Sequence, residues 1–202
     1  MKTTLTELRG KAEQGDLLSQ VMMGTLCCQG KGVQQSDEDA VKWFRLAADQ
    51  GNSFAQGMLG IAYTKGQGVP QDDVEAVVWH GLAARQGDVA SQMSLGVAYA
   101  HGKGVDQDST EAIIWIGQAA QQGYAMAQYN MGKAYAEGKG VEQDIAQAYV
   151  WFSLAISQEF EPAAKKRTEL QKIMTPEQIN KAERLLLKHV RRIKLAEKEP
   201  IS

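Results

Sequence analysis

Apolar positions along this chain return in a 36-residue cycle. Each cycle holds two stretches with apolar residues three and four positions apart, the spacing that gathers side chains on one helix face. In the third cycle the first stretch runs from about Val89 to Ala100, with Leu95, Ala98 and Tyr99 on its stripe. The second carries Ala112, Trp115 and Ala119. Between them His101-Gly102-Lys103-Gly104 stops the first helix, because glycine enters the left-handed conformation after a helix end without a Cβ penalty. Val105 follows as an apolar plug, Asp108 or Ser109 can cap the second helix, and Gly123 ends it. A single helix pair cannot bury its own stripe, whereas stacked pairs bury one another's.

The cycle is also one of identity. Gly15, Gly51, Gly87 and Gly123 are each 36 residues apart, and the series starting at Gly24, Gly30 and Gly32 keep that interval, so 16 of the 20 glycines share one register. Gln20, Gln56, Gln92 and Gln128 recur likewise, as do Val33, Ala40 and Ala47 with their counterparts. All 4 tryptophans, Trp43, Trp79, Trp115 and Trp151, occupy one position. Glycine inside a helix costs about 1 kcal/mol relative to alanine, so its return at Gly24, Gly60, Gly96 and Gly132 implies a packing reason. The reading is that Gly96 and Ala112 admit a neighbouring backbone while Trp115 and Tyr99 fill the remaining space.

The pattern predicts an all-α fold, a right-handed α–α superhelix (solenoid) of four helix-turn-helix repeats with helical caps at both ends. Residues 1–202 form one domain in this reading: an amino-terminal cap at 1–14, repeats at 15–50, 51–86, 87–122 and 123–158, and a degenerate helix with a capping helix at 159–202. Thr4-Leu5-Thr6-Glu7 is a capping box opening a helix to about Gln14, where Ala12 matches Ala48. Ala163 still matches Ala127, which makes Glu161 to Met174 a worn first helix. Thr175-Pro176-Glu177-Gln178 then starts a last helix, whose stripe of Ile179, Ala182, Leu186, Val190 and Ile193 can close the stack.

The motif of the third repeat, Ala83, Gly87, Gln92, Leu95, Gly96, Tyr99, Gly102, Gly104, Val105 and Asp108, then Ala112, Trp115, Ala119 and Ala120, resembles Sel1-like repeats. These are relatives of the tetratricopeptide repeat, which has 34 residues and a tryptophan in its first helix. The resemblance covers residues 12–156, with Cys27 standing for the tyrosine of the other copies and Ser36 for their aspartate. It implies that the first helices line a concave inner face. It also implies a bacterial adaptor of a signalling, secretion, envelope or host-interaction system, one version being an immunity protein against a secreted toxin.

Composition alters little, since 44% hydrophobic and 23% charged residues are near the globular average and argue against disorder. A net charge of −2 gives no reason to expect nucleic acid. The charge is uneven, however: residues 1–160 hold 11 Lys/Arg against 18 Asp/Glu, and residues 161–202 hold 11 against 6. Cys27 and Cys28 are adjacent, so no disulfide framework is expected. Met1 to Leu8 lacks a signal-peptide core, and no stretch approaches a membrane span. The cytoplasm is the expected location, or the periplasm or exterior if a leader had been removed.

Chemistry finds no foothold in the pattern. His80, His101 and His189 share no repeat position, and metal-ligand spacings are missing, so neither metal nor cofactor is expected. His80 beside Trp79 reads as a partly buried structural histidine, Cys27 as a small buried residue and Cys28 as an exposed thiol. Gly-Lys-Gly follows a helix, whereas phosphate loops precede one. Asp72, Asp108 and Asp144 read as caps, and no nucleophile–base–acid set can be assembled, so the chain reads as non-enzymatic.

What remains is the inner face, at positions where the copies differ. These are Met22, Thr25 and Gln29; Met58, Ile61 and Lys65; Ser94, Val97 and His101; Asn130, Lys133 and Glu137. Methionine adapts to varied apolar partners, so a bound protein or peptide is expected, the chain itself being a monomer or weak oligomer. Met22 and Met58 could instead pack between repeats. A second reading gives Lys188, Arg191, Arg192 and Lys194 an anionic polymer or carbohydrate; the alternative is a solvated face that complements the helix dipole.

Overall fold

A computed structural model describes residues 4–196, apart from the side chains of Val190 and residues 192–196. Among the described residues every regular element is an α-helix: α1 (Leu5–Glu13), α2 (Leu17–Gln29), α3 (Asp37–Asp49), α4 (Ser53–Lys65), α5 (Asp73–Arg85), α6 (Val89–His101), α7 (Ser109–Gln121), α8 (Ala125–Glu137), α9 (Ile145–Ile156), α10 (Glu161–Gln171) and α11 (Pro176–Ala196). They gather into two compact units, one ending at Asp108 and holding α1–α6, the other beginning at Ser109 and holding α7–α11.

In the first unit local chemistry sets both ends of each first helix. Asp16, Asn52 and Asp88 accept bonds from the amides of Ser19, Ala55 and Ser91 at 2.8, 2.9 and 2.7 Å. Gly30, Gly66 and Gly102 end α2, α4 and α6 in the left-handed region. Asp72 caps α5 through two amides, and at α3 the Ser36 hydroxyl does the same work.

The mid-helix glycines make room for a ring. A Cβ on Gly24 would stand 2.7 Å from the Phe44 ring, and one on Gly60 would stand 2.6 Å from His80. In the second unit a Cβ on Gly132 would stand 2.6 Å from Phe152. The space is therefore filled by the residue after the tryptophan, which corrects the expectation that the tryptophan and tyrosine fill it. Trp79 is instead clamped within the unit: its ring lies 4.7 Å from the Arg45 guanidinium, and its Nε1 donates to Glu75.

The recurring glutamines are buried bolts. Gln20, Gln56 and Gln92 donate through Nε2 to the carbonyls of Ala12, Ala48 and Ala84, near the end of the preceding helix. Gln50 and Gln86 each donate in turn to the Oε1 of Gln20 and Gln56, both at 2.7 Å. The second unit repeats the device, with Gln128 donating to Ala120 and accepting from Gln158. Each bolt adds a side-chain bond to a helix-end carbonyl that already accepts the amide of the glycine three residues on, Gly15, Gly51, Gly87 or Gly123, and so ties the buried amide to the preceding helix.

The second unit ends differently. α10 stops at Gln171, short of the expected Met174, which is buried in the connection that follows. The long α11 packs on α9, where Ala182 is fully buried and Ile179, Leu185 and Leu186 join a core containing Ala146, Val150 and Leu154. Lys181 reaches the cap residue Asp144 at 2.7 Å. Of the stripe expected on α11, the side chains of Val190 and Ile193 lie outside the described residues, as do those of Arg192 and Lys194.

Among the described residues Glu159 is the one non-glycine with a positive φ, 61, where Gly51 and Gly123 have φ 88 and 89 in the equivalent place. A side chain there strains the backbone. Glu159→Gly is expected to raise the unfolding free energy by about 1 kcal/mol. Urea denaturation would show a higher midpoint; an unchanged or lower one would refute the strain.

Candidate protein-binding surface

The first helices bury the residues that recur and present those that differ. On α2, Ser19, Gln20, Met23, Gly24 and Cys27 point inward. Met22 is 54% exposed, Gln29 is exposed and Thr25 is half-buried, its hydroxyl donating to the carbonyl of Val21. On α4, Lys65 is exposed while Met58 and Ile61 are half-buried and line a cavity of ≈ 40 Å³ with Val41 and Phe44. The two methionines thus differ: Met58 packs against the core and Met22 stands in solvent. On α6, Val97 and His101 are exposed and Ser94 is half-buried. In the second unit α8 presents exposed Glu137 and half-buried Asn130 and Lys133, the ammonium of Lys133 lying 5.8 Å from the Tyr129 ring.

The sequence reading missed the first member of each stripe. Leu18 lies four residues before Met22 and is 69% exposed; Phe54, four before Met58, is 48% exposed. Ala90 and Met126 hold that position on α6 and α8 and are also exposed. The signal was available, because helical periodicity puts i, i+4, i+7 and i+11 in one row. With Leu18 and Phe54 included, the first unit carries more exposed apolar surface than the twelve positions alone suggested.

Other candidates resolve into structure. His80 is only 5% exposed, and burial pushes its pKa down to about 4, against a smaller upward pull from Asp88. Its Nδ1 lies 3.2 Å from Ser91 Oγ. Burial raises the pKa of both cysteine thiols, and Cys28 is half-buried rather than exposed, which corrects that expectation and keeps it in the less reactive thiol form. Among the described residues no cluster of three or more His, Cys, Asp or Glu could hold a metal ion. None of the described helices is long and apolar enough to cross a membrane. On α11, Lys188 and Arg191 are exposed while Lys181 is tied to Asp144.

Comparison with known proteins agrees with this geometry. The Sel1 repeat family model matches residues 17–52, 53–88, 89–124 and 125–160, a frame that starts at the first helix, two residues after the glycine-based one. No curated protein matches the chain. Among solved structures it is similar to c5321, a protective antigen present in uropathogenic Escherichia coli strains that displays an SLR fold, with TM-score 0.83 and 32% identity over 98% of this chain and 44% of that one. It is also similar to a Sel1 repeat protein from Oxalobacter formigenes, with TM-score 0.69 and 33% identity over 72% of this chain and 60% of that one. The chain thus spans less than two thirds of either. A sel1 repeat protein from Klebsiella pneumoniae, with TM-score 0.50 and 22% identity over 82% of this chain and 83% of that one, shares the fold. With four matched repeats and the helix pairs, caps and glycine turns that define them, this chain belongs to the Sel1 repeat family, whose members generally mediate protein–protein interaction.

Proposed function

We propose that the chain is a non-enzymatic bacterial scaffold that binds a protein or peptide along the exposed stripe of its first helices, as an immunity or regulatory protein of a secretion, envelope or signalling system. The observation that carries this reading is in the first unit. Leu18, Met22 and Phe54 stand exposed at positions where the repeats differ, while the residues that recur are buried. Large exposed apolar side chains in one row mark binding surfaces rather than folding requirements. The bacterial setting is supported by the sources of the similar structures.

The test is co-purification from bacterial lysate with quantitative mass spectrometry, comparing wild type with the triple variant Leu18→Glu, Met22→Glu, Phe54→Glu. These side chains are exposed, so the fold should survive, which circular dichroism would establish. A specific partner should drop by about tenfold or more, the scale of losing interface anchors. Equal recovery of every partner by both proteins would overturn the reading.

A further inference from the structure

The second helices of the repeats carry three outward positions four residues apart, and the chain itself shows what can cover them. On α9 they are Ala146, Val150 and Leu154, exposed by 1, 4 and 5% beneath α11. The corresponding residues of α5 are Val74, Val78 and Leu82, exposed by 60, 50 and 37%. Neither of the other second helices repeats this. α3 offers Glu38, Lys42 and Leu46, and α7 offers Thr110, Ile114 and Gln118. Only α5 carries the apolar row of α9 without its cover.

We propose that this face of α5 docks an amphipathic, lysine-bearing helix of a partner protein in the manner in which α9 holds α11. The acidic end of the site makes the match specific. Asp72 caps α5 through the amides of Val74 and Glu75, as Asp144 caps α9 through those of Ala146 and Gln147. On α9 the cap carboxylate also takes Lys181 from the docked helix. Asp72 is exposed, pairs with no cation among the described residues, and is joined in that turn by Asp73 and Glu75. A lysine one turn from the apolar contact therefore meets negative charge here, as it does on α9. The template also fixes a spacing. The lysine precedes a small residue that sits against the valine row, like Ala182, with apolar residues three before and three and four after it, like Ile179, Leu185 and Leu186. This surface is on a second helix and is independent of the first-helix stripe.

The probe is a fluorescent peptide with the sequence of residues 175–191, titrated into the full chain and read by anisotropy. It should bind in the micromolar range. Val78→Asp, at a half-exposed position that tolerates charge, should weaken binding by about tenfold or more. Lysine-to-glutamate substitution at the peptide position of Lys181 should weaken it several-fold, more so at low salt. The Leu18, Met22 and Phe54 triple variant should bind the peptide as wild type does, which separates this surface from the proposed first-helix stripe. No binding, or equal binding by the Val78→Asp protein, would overturn the proposal. So would concentration-dependent dimerisation of the full chain abolished by Val78→Asp, because the occupant would then be a second copy.

Discussion

Alanine at Gly104 is expected to lower the unfolding free energy by about 4 kcal/mol, whereas alanine at Gly32 should lower it by about 1 kcal/mol. Both glycines close the turn after a first helix with positive φ, 68 at Gly104 and 76 at Gly32. The left-handed backbone penalises any L side chain at both, and that accounts for the shared part of the loss. They differ in their surroundings. A Cβ on Gly104 would stand 2.0 Å from the carbonyl oxygen of Asp73 and 2.7 Å from the amide of Val74, whereas one on Gly32 meets nothing within 4 Å. The obstacle at Gly104 is the backbone that opens α5, which cannot rotate aside as a side chain would. A Cβ on Gly68 would stand in the same relation to Asp37, 2.3 Å from its carbonyl oxygen, so the turns of the second and third repeats rest on the start of the preceding second helix, α3 and α5. Urea denaturation of the two variants beside wild type measures the difference. Equal losses would mean that conformation alone, and not the close approach, fixes glycine at the second position.

Much of the fold was legible because its determinants are local. Asp16, Asn52 and Asp88 sit beside the amides they cap, and Gly30 and Gly102 end their helices by backbone conformation alone. The ring slot was not legible, for an instructive reason. The tryptophan never varies and so draws attention, whereas the slot is filled by Phe44, His80 and Phe152 in their repeats. Variation at this position goes with burial, because side chains of different chemistry fill the same kind of slot. The binding surface failed in the opposite sense. Leu18 and Phe54 look like helix-opening core residues, although their spacing of four from Met22 and Met58 already puts them in the outward row. The seat of α11 was invisible too, because nothing in its apolar stripe says that it will choose α9 over α10. That choice depends on the row of Ala146, Val150 and Leu154, whose α5 equivalents carry the same pattern without the cover.

His80 should make the protein sensitive to acid, and the paired substitution His80→Phe, Ser91→Ala should remove that sensitivity. The other repeats pair Phe44 with Ala55, Ile116 with Ala127 and Phe152 with Ala163 at these two positions, all of them buried. His80 and Ser91 therefore replace an apolar pair by one held through a 3.2 Å contact between Nδ1 and Oγ. Burial keeps the imidazole neutral down to about pH 4, while an unfolded histidine takes up a proton near pH 6.5. Between those values the unfolded chain binds the extra proton, so stability falls as pH drops from about 7.5 to 4. Above that window the contribution is constant, and below it the loss is complete. The shift corresponds to about 3 kcal/mol lost across the window. Phenylalanine fits, because Phe44 and Phe152 occupy the same space over Gly24 and Gly132. At pH 7.5 the exchange of a bonded polar pair for an apolar one should be neutral or mildly stabilising. Urea denaturation at a series of pH values gives the test, as the surface carboxylates titrate in both proteins and cancel in their difference. That difference should grow in favour of the double variant by about 3 kcal/mol toward pH 4. Parallel stability curves would mean that His80 already takes up its proton in the folded state, and the closed slot around it would have to open.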